Sequence, residues 1–558
     1  MKQLYILIFF FFITALAQAQ KALKVNSIYK IVYWRSADGK PKGDRNSTVV
    51  IASAKQNVLS TETILANNAK YPFEQSVVYK PENILLQVAD LGKNNQIFTA
   101  DSTAIAKQAF EFSSETKVIL GYTCKKAKTI VNSNTIELWY TTDAGIKAAP
   151  TVLGQNLGLV LEQVRNGNSY VTATKIEEVN NYKPIDLGAQ KPTDGLTYKD
   201  LLWKSRFTTL NVFNNETINF TDKLSSDSIF RFAGGTVIAR KIKFPDVPAS
   251  PNVFVDVTEQ SNGDAYDRTG SVFIIPTDKP TSLMDALKNS VKVLPVYDNG
   301  NGKVYQGVVA TPNYNPVIEL MRFFTPFGVG KYNNLKLKDK TWADKVYYRQ
   351  DISELFPLLN GKEAWVAVFI GNYDKGGHKV SVNITLHNGG REKADKAIIM
   401  PLFNSTNVME MAGQEYATMF SNDKGLEVSF TLAKDVKDAK LRYLTTGHGG
   451  WGGGDEFVPR KNTIWLDGKE AFAFTPWRQD CGSYRLSNPA SGNFESGLSS
   501  SDLSRSNWCP GTVTNPNIIS LGDLKAGQHT IKVTIPMGPP QGSSSSAWNV
   551  SGVLLGTE

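Results

Sequence analysis

The sequence predicts an all-β protein, and three observations carry that reading. Short runs rich in Val, Ile, Tyr, Phe and Thr recur between clusters of Gly, Asn, Asp and Pro, the pattern of strands separated by turns. Helical periodicity is scarce, with only Ser282 to Val291 and Ile352 to Phe356 reading as short helices. The chain has 558 residues, 41% of them hydrophobic and 20% charged, a globular balance with room for several cores. Antiparallel sandwiches are expected rather than an α/β architecture.

Taken in order, the chain opens with Lys2, an apolar run from Leu4 to Ala17 and the small-residue pattern Ala17-Gln18-Ala19. Residues 1–19 therefore read as a signal peptide, too short for a spanning helix, and the protein is expected to be exported, secreted or periplasmic. No later segment approaches membrane length. Residues 20–185 form a first β-rich unit, with strands such as Ile28 to Trp34 and Thr135 to Thr141, and with Cys124 expected as a buried free thiol. A polar stretch with Pro and Gly, Pro184 to Gly195, places a linker at 186–204. A second set of strands occupies 205–392, including Trp365 to Ile370 and the alternating Val380 to Leu386. A third begins near Ile398-Ile399-Met400-Pro401 and spans 393–558, where Gly538 to Ser546 reads as a long hairpin tip. In an exported chain with three cysteines, Cys481 and Cys509 are the natural pair, closing a loop rich in Ser, Gly and Asn.

Composition and motif content exclude much chemistry. The net charge of +9 comes from 61 basic and 52 acidic side chains without a basic block, so a solvated surface is expected and no nucleic-acid partner. The four histidines, His378, His387, His448 and His529, show no zinc spacing, and no metal or cofactor is expected. There is no Gly-x-Ser-x-Gly elbow. The run Gly447 to Gly454 lacks the Lys-Ser/Thr ending of a phosphate loop and reads as a flexible loop. Carboxylates, arginines and aromatics on loops remain, the equipment of acid–base chemistry on sugars. Two loops stand out, Gly263 to Arg268 before the apolar strand Ser271 to Pro276, and Gly454-Asp455-Glu456-Phe457. Each alone is more often a turn than a site.

Their combination resembles the bacterial peptide-N-glycosidase F family over roughly residues 205 to 558. That family has a Trp-Asp-Arg turn before a strand, a Glu-Trp pair after a Gly-rich loop, and an Arg before Trp-Cys-Pro-Gly. The matching stretches here are Tyr266-Asp267-Arg268, Glu456-Phe457 and Arg505-Ser506-Asn507-Trp508-Cys509-Pro510-Gly511. Arg322-Phe323-Phe324-Thr325-Pro326, Tyr443-Leu444-Thr445-Thr446-Gly447 and Thr463-Ile464 follow the same order. The resemblance implies two jelly-roll-like antiparallel sandwiches preceded by a separate β-rich N-terminal domain, and a Cys481–Cys509 disulfide. It implies hydrolysis of the amide between the innermost GlcNAc and asparagine of N-glycoproteins or glycopeptides; a monomer is expected. Asp267 then matches the principal catalytic carboxylate, and Glu456 and Arg505 match residues that hold substrate and water. Arg268, Phe327, Tyr373, His448, Trp451 and Trp508 are the expected substrate-binding residues.

The chain departs from the family at two places. Gly371 stands where the family has a third carboxylate, so that role is either missing or supplied elsewhere, with Asp374 as a candidate. Phe327-Gly328 follows Thr325-Pro326 where the family has two large rings, which predicts a wider site and tolerance of core fucose. In the first unit, Val118 to Ala127, Leu138 to Asp143 and Asn156 to Leu161 resemble a β-rich domain common among exported bacterial proteins, with a structural or export role expected ahead of glycoprotein recruitment. A carbohydrate-binding protein without catalysis and an endo-acting glycoside hydrolase stay open as alternatives.

Overall fold

The structure is a computed structural model that describes residues 22–24, 26–39, 47–221, 226, 228–247, 250–391, 396–450, 453–491, 499–540, 542 and 544–558. The expected leader, 1–19, lies outside the described residues, as does Trp451. Antiparallel sheets dominate, and the chain falls into two compact units, Met1–Arg206 and Phe207–Glu558.

The first unit is a single eleven-stranded sheet. Strands from Tyr29–Ser36 to Gln96–Asp101 form one meander and those from Glu111–Ile119 to Ser169–Glu178 another. The two join where Tyr29–Ser36 pairs antiparallel with Ser169–Glu178. Inward residues such as Ile31, Tyr33, Val50, Leu159 and Leu161 form its core, and Cys124 is a free, buried thiol among them. Within the stretch read as a linker, Gly195–Lys204 is an α-helix. Asp194 caps it by accepting from the Leu196 and Thr197 N–H groups, and Tyr198 and Leu202 pack with Ala89.

The second unit holds two sandwiches. In the first, the sheet Phe207–Ile218, His378–Arg391, Ser250–Ser261, Val346–Asp351 faces a six-stranded sheet that contains Glu363–Ile370, Thr269–Ile275 and Ile318–Phe324. The strand Ser250–Ser261 alternates without a fault between inward and outward residues, so Val253, Val255 and Val257 enter the core. In the second sandwich, Ala397–Asn404, Ser546–Thr557, Val436–Gly449, Asn517–Leu524 face Leu426–Leu432, Gly527–Thr534, Asn462–Leu466, Lys469–Phe474. Both expected short helices occur, as an α-helix Leu283–Lys288 with a Ser282/Asp285 capping box and a 3-10 helix Ser353–Leu358.

Three ties bind the sandwiches. The short strand Val513–Thr514, from the later half of the chain, adds to the edge of the first sandwich beside Arg322 and Phe323. Arg322, fully buried, clasps Glu319 with two nitrogens (2.9 and 2.6 Å) and crosses to Thr406, Thr446 and the Asn549 carbonyl. Arg442 answers from the other side, donating to Glu354 and to the Glu319 carbonyl. Burial opposes ionisation of Glu319, but the Arg322 guanidinium holds its carboxyl below the usual range. Cys481 and Cys509 form the expected disulfide, with Cα atoms 5.1 Å apart.

Candidate active site

Three segments converge where the two sandwiches meet. The first is the turn before Thr269–Ile275, clamped on both sides of Asp267. Thr325 accepts the Arg268 N–H (2.7 Å) and its hydroxyl donates to the Tyr266 carbonyl (3.0 Å), while the Thr325 N–H donates to the Arg268 carbonyl (2.9 Å). Asp264 accepts the Tyr266 N–H and the Arg268 guanidinium (2.7 Å). The second segment carries Glu456. Its neighbour Asp455 is fully buried, and accepts from Arg460, from the Gly538 N–H and from the Trp548 indole (2.7, 2.9 and 2.9 Å). The third carries Arg505, which pairs through its backbone with Arg478 (2.8 and 3.0 Å) four residues before the disulfide at Cys509.

Arg505 is the hub. Only 1% of its side chain is exposed, and its Nη1 lies against Glu456 and 3.2 Å from Asp267 Oδ2. Its Nη2 donates to the Ser500 carbonyl (2.7 Å), and its guanidinium lies 4.3 Å over the Trp508 ring. Asp267 and Glu456 keep 16% and 18% of their side chains exposed, so both carboxylates open to solvent from an otherwise dry floor. Burial pushes both upward in pKa and Arg505 opposes it; Glu456, which also feels the charge of Asp267, reaches about 7. Two groups here are buried without a hydrogen-bond partner in the protein, Asp267 Oδ2 and Arg505 Nε. Buried polar groups are normally paired, so these two are candidates for contact with a bound molecule.

The other expected contacts divide. Arg268 lies over the exposed Tyr266 ring (5.0 Å) and near the exposed Tyr373 ring (5.7 Å), an open aromatic-cationic face beside Asp267. Trp508 is 2% exposed, stacked on Phe324 at 4.3 Å with its indole N–H on the Gly447 carbonyl. The structure therefore makes it the support of Arg505, not a free ring for a sugar. Phe327 is buried at 6%. His448 sits beside the Phe324 and Trp508 rings with Nε2 on Thr446 (2.8 Å); burial holds it neutral, with a pKa near 3. The segment Gly447 to Gly449, expected in a flexible loop, instead ends the strand Val436–Gly449 and pairs with Ser546 to Trp548. Close packing explains the glycine at 447, where a Cβ would meet Ser506 and Trp548 at 2.8 and 2.9 Å.

Both departures from the family have a local reading. At Gly371 no side chain enters, and Asp374 accepts the Gly376 and Gly377 N–H groups on its Oδ1 (2.7 and 2.9 Å). Glu410, which the sequence did not single out, meets Tyr373 and raises its hydroxyl pKa behind the larger effect of burial. At Gly328, φ is +68° and the Tyr332 ring stands 2.4 Å from where a Cβ would be, so the volume freed by a missing ring is partly taken. The Tyr332 hydroxyl donates to the Gly263 carbonyl (2.6 Å).

Sequence reasoning also missed Asp264, Glu259 and His378. His378 Nδ1 lies 2.8 Å from Glu259 and its Nε2 lies 3.4 Å from Asp264, all three buried. The signal was there in the strand period. Glu259 shares the parity of Val253, Val255 and Val257, and His378 that of Val380, Val382 and Ile384.

Comparisons with known proteins identify the family. Residues 31–200 match a family model described as the N-glycanase peptide, N-terminal domain. Residues 209–386 match the Peptide-N-glycosidase F, N terminal model, and residues 415–555 the Peptide-N-glycosidase F, C terminal model. A comparison with curated proteins gives no match. Among solved structures, one described as "Structure of PNGF-II in C2 space group" is 55% identical, covering 95% of this chain and 98% of its own, with a TM-score of 0.88. A second, of PNGF-II in the P21 space group, is 56% identical over 95% of this chain and 99% of its own, with a TM-score of 0.89. With identity at that level over nearly the whole length, the chain belongs to the peptide-N-glycosidase F family of N-glycan-releasing hydrolases.

Proposed function

We propose that the protein hydrolyses the amide between the innermost GlcNAc and asparagine of N-glycoproteins, releasing the whole glycan and leaving aspartate. The observation that carries this is Arg505 buried between two half-desolvated carboxylates, Asp267 and Glu456. An amide resists water until its carbonyl is polarised or its nitrogen protonated. Asp267, whose buried Oδ2 faces Arg505 without a hydrogen bond, contacts the first GlcNAc and assists attack by water on the asparagine carbonyl carbon. Glu456, raised to about 7, keeps a proton in mildly acidic to neutral solution and hands it to the departing nitrogen. Arg505 holds the carbonyl oxygen as charge develops there. The new C–O bond leaves a carboxylic acid on the peptide, the C–N bond breaks, and the glycosylamine leaves and later loses ammonia to water. Arg268, Tyr266 and Tyr373 line the opening for the sugar, and Glu410 is the candidate for the carboxylate absent at 371. Acceptance of core fucose requires Tyr332 to border it, and cleavage of a core α1,3-fucosylated glycopeptide is the check on that point.

We also propose that the enzyme works as an exported monomer, in keeping with its leader-like start and its disulfide. Among the described residues no helix is long and apolar enough to cross a membrane. The decisive experiment digests an N-glycopeptide in heavy-oxygen water, with Asp267→Ala beside it. Labelled aspartate from the wild type alone is expected. A peptide keeping one GlcNAc would establish an endo-glycosidase instead, and a peptide bound but untouched a carbohydrate-binding protein.

A further inference from the structure

Beneath the Asp267 turn lies a charge cluster that the proposed chemistry does not use. Glu259 follows Val253, Val255 and Val257 in the inward series of Ser250–Ser261, at a position where the period-2 pattern calls for an apolar side chain. On the neighbouring strand, Ser261 pairs with His378, and His378 also faces inward. The imidazole thus stands between two carboxylates, Glu259 at Nδ1 (2.8 Å) and Asp264 at Nε2 (3.4 Å). Asp264 in turn grips Arg268 (2.7 Å) and the Tyr266 N–H (3.1 Å), the two residues that flank Asp267. Its own backbone is held by the Ser261 hydroxyl (2.6 Å) and by the Gly377 carbonyl, one residue before His378.

We propose that His378 is a positioning residue, the buried counter-charge through which Asp264 and Arg268 aim the Asp267 turn at the scissile bond. Charge balance supports it. Glu259, Asp264, His378 and Arg268 sum to zero when all are ionised. A neutral His378 would leave the buried cluster with an uncompensated negative charge, a state that burial penalises. Burial alone would lower the imidazole pKa, but Asp264 and Glu259 outweigh it and raise it to about 9. The buried phenol of Tyr348 is a further titratable neighbour, held neutral by burial and by the charge of Glu259. Burial pushes Glu259 itself upward, against the pull of His378. The inference rests on the reading of Asp267 given above.

The test uses the full-length protein. The chain has four histidines, so nitrogen-15 histidine labelling gives few signals, and that of His378 is the one missing from His378→Gln. The expected wild-type signal is an imidazolium at neutral pH that loses its proton near pH 9. In His378→Gln, kcat on a glycopeptide should fall between about ten- and a hundredfold, as expected for a misplaced group, with KM within about threefold. In the wild type, log kcat should fall more steeply above the His378 titration. Glu259→Gln, which keeps the shape, should bring that steepening and the titration down together by about one pH unit. If His378→Gln does not fold, Glu259→Gln decides alone. A kcat within about twofold of wild type in His378→Gln, or a titration that moves without the kcat profile, overturns the proposal. Asp267→Asn, assayed in parallel, separates the two levels: full activity there removes the site reading itself, whereas its loss beside an active His378→Gln removes only the positioning role.

Discussion

Glu456 and Arg505 show how little of a reactive group is settled by its side-chain type. A glutamate beside an arginine normally ionises more readily, yet here burial and Asp267 prevail and the carboxyl rises to about 7. Because the folded value lies above the unfolded one, the folded state binds the proton better, and stability declines as pH climbs from about 4.5 through 7. Glu456→Gln should therefore be inactive but more stable than wild type at pH 8, by on the order of 1 to 3 kcal/mol, and about equal to it at pH 4. Thermal melts at the two pH values check the sign. For the same reason, kcat of the wild type should fall as pH rises through about 7, where the proton donor is lost. Arg505→Lys keeps the charge but cannot reach Ser500, both carboxylates and the Trp508 face together, and it should lose about a hundredfold or more in kcat. Single-turnover assays on a saturating glycopeptide measure that loss.

At the scale of elements, strand period did most of the predictive work, and its neglected corners hid the rest. Val380 to Leu386 alternates visibly, but two residues upstream the same parity puts His378 inside, and on the facing strand it puts Glu259 inside. A polar residue on an inward parity is the mark of a buried network, and the pattern could have shown both. Trp508 and Phe327 were legible as aromatic but not as buried, because exposure is set by Phe324, Arg505 and the 488–490 segment, distant in sequence. Glycine density likewise hid the strand at Gly447 to Gly449, where close packing rather than flexibility requires small residues. The disulfide is an element-scale device. It ties the 3-10 turn Cys481–Ser487 to the segment bearing Arg505 and Trp508. Cys481→Ser with Cys509→Ser should cost about 3 to 4 kcal/mol in urea titrations, from loop closure alone, and lower kcat in the fraction still folded.

For the whole molecule, the site depends on both sandwiches, since Asp267 comes from one and Glu456 from the other. The buried Arg322 and Arg442 clasps hold that seam, and Arg322→Met should lower activity even where thermal melts show a folded chain. The first unit has cores of its own and contributes none of these groups. Residues 207–558 alone should fold and cleave a small glycopeptide with kcat within about threefold of the full chain, which a truncation series measures. The place of Ser546–Thr557 in its sheet has one more consequence. It lies between Ala397–Asn404 and Val436–Gly449, so a strand late in the sequence is inserted between two that come much earlier. A chain still emerging from the ribosome already holds Asp267, yet its second sandwich has a gap through the middle. Any activity that needs both sandwiches must therefore wait until Ser546–Thr557 slots into place.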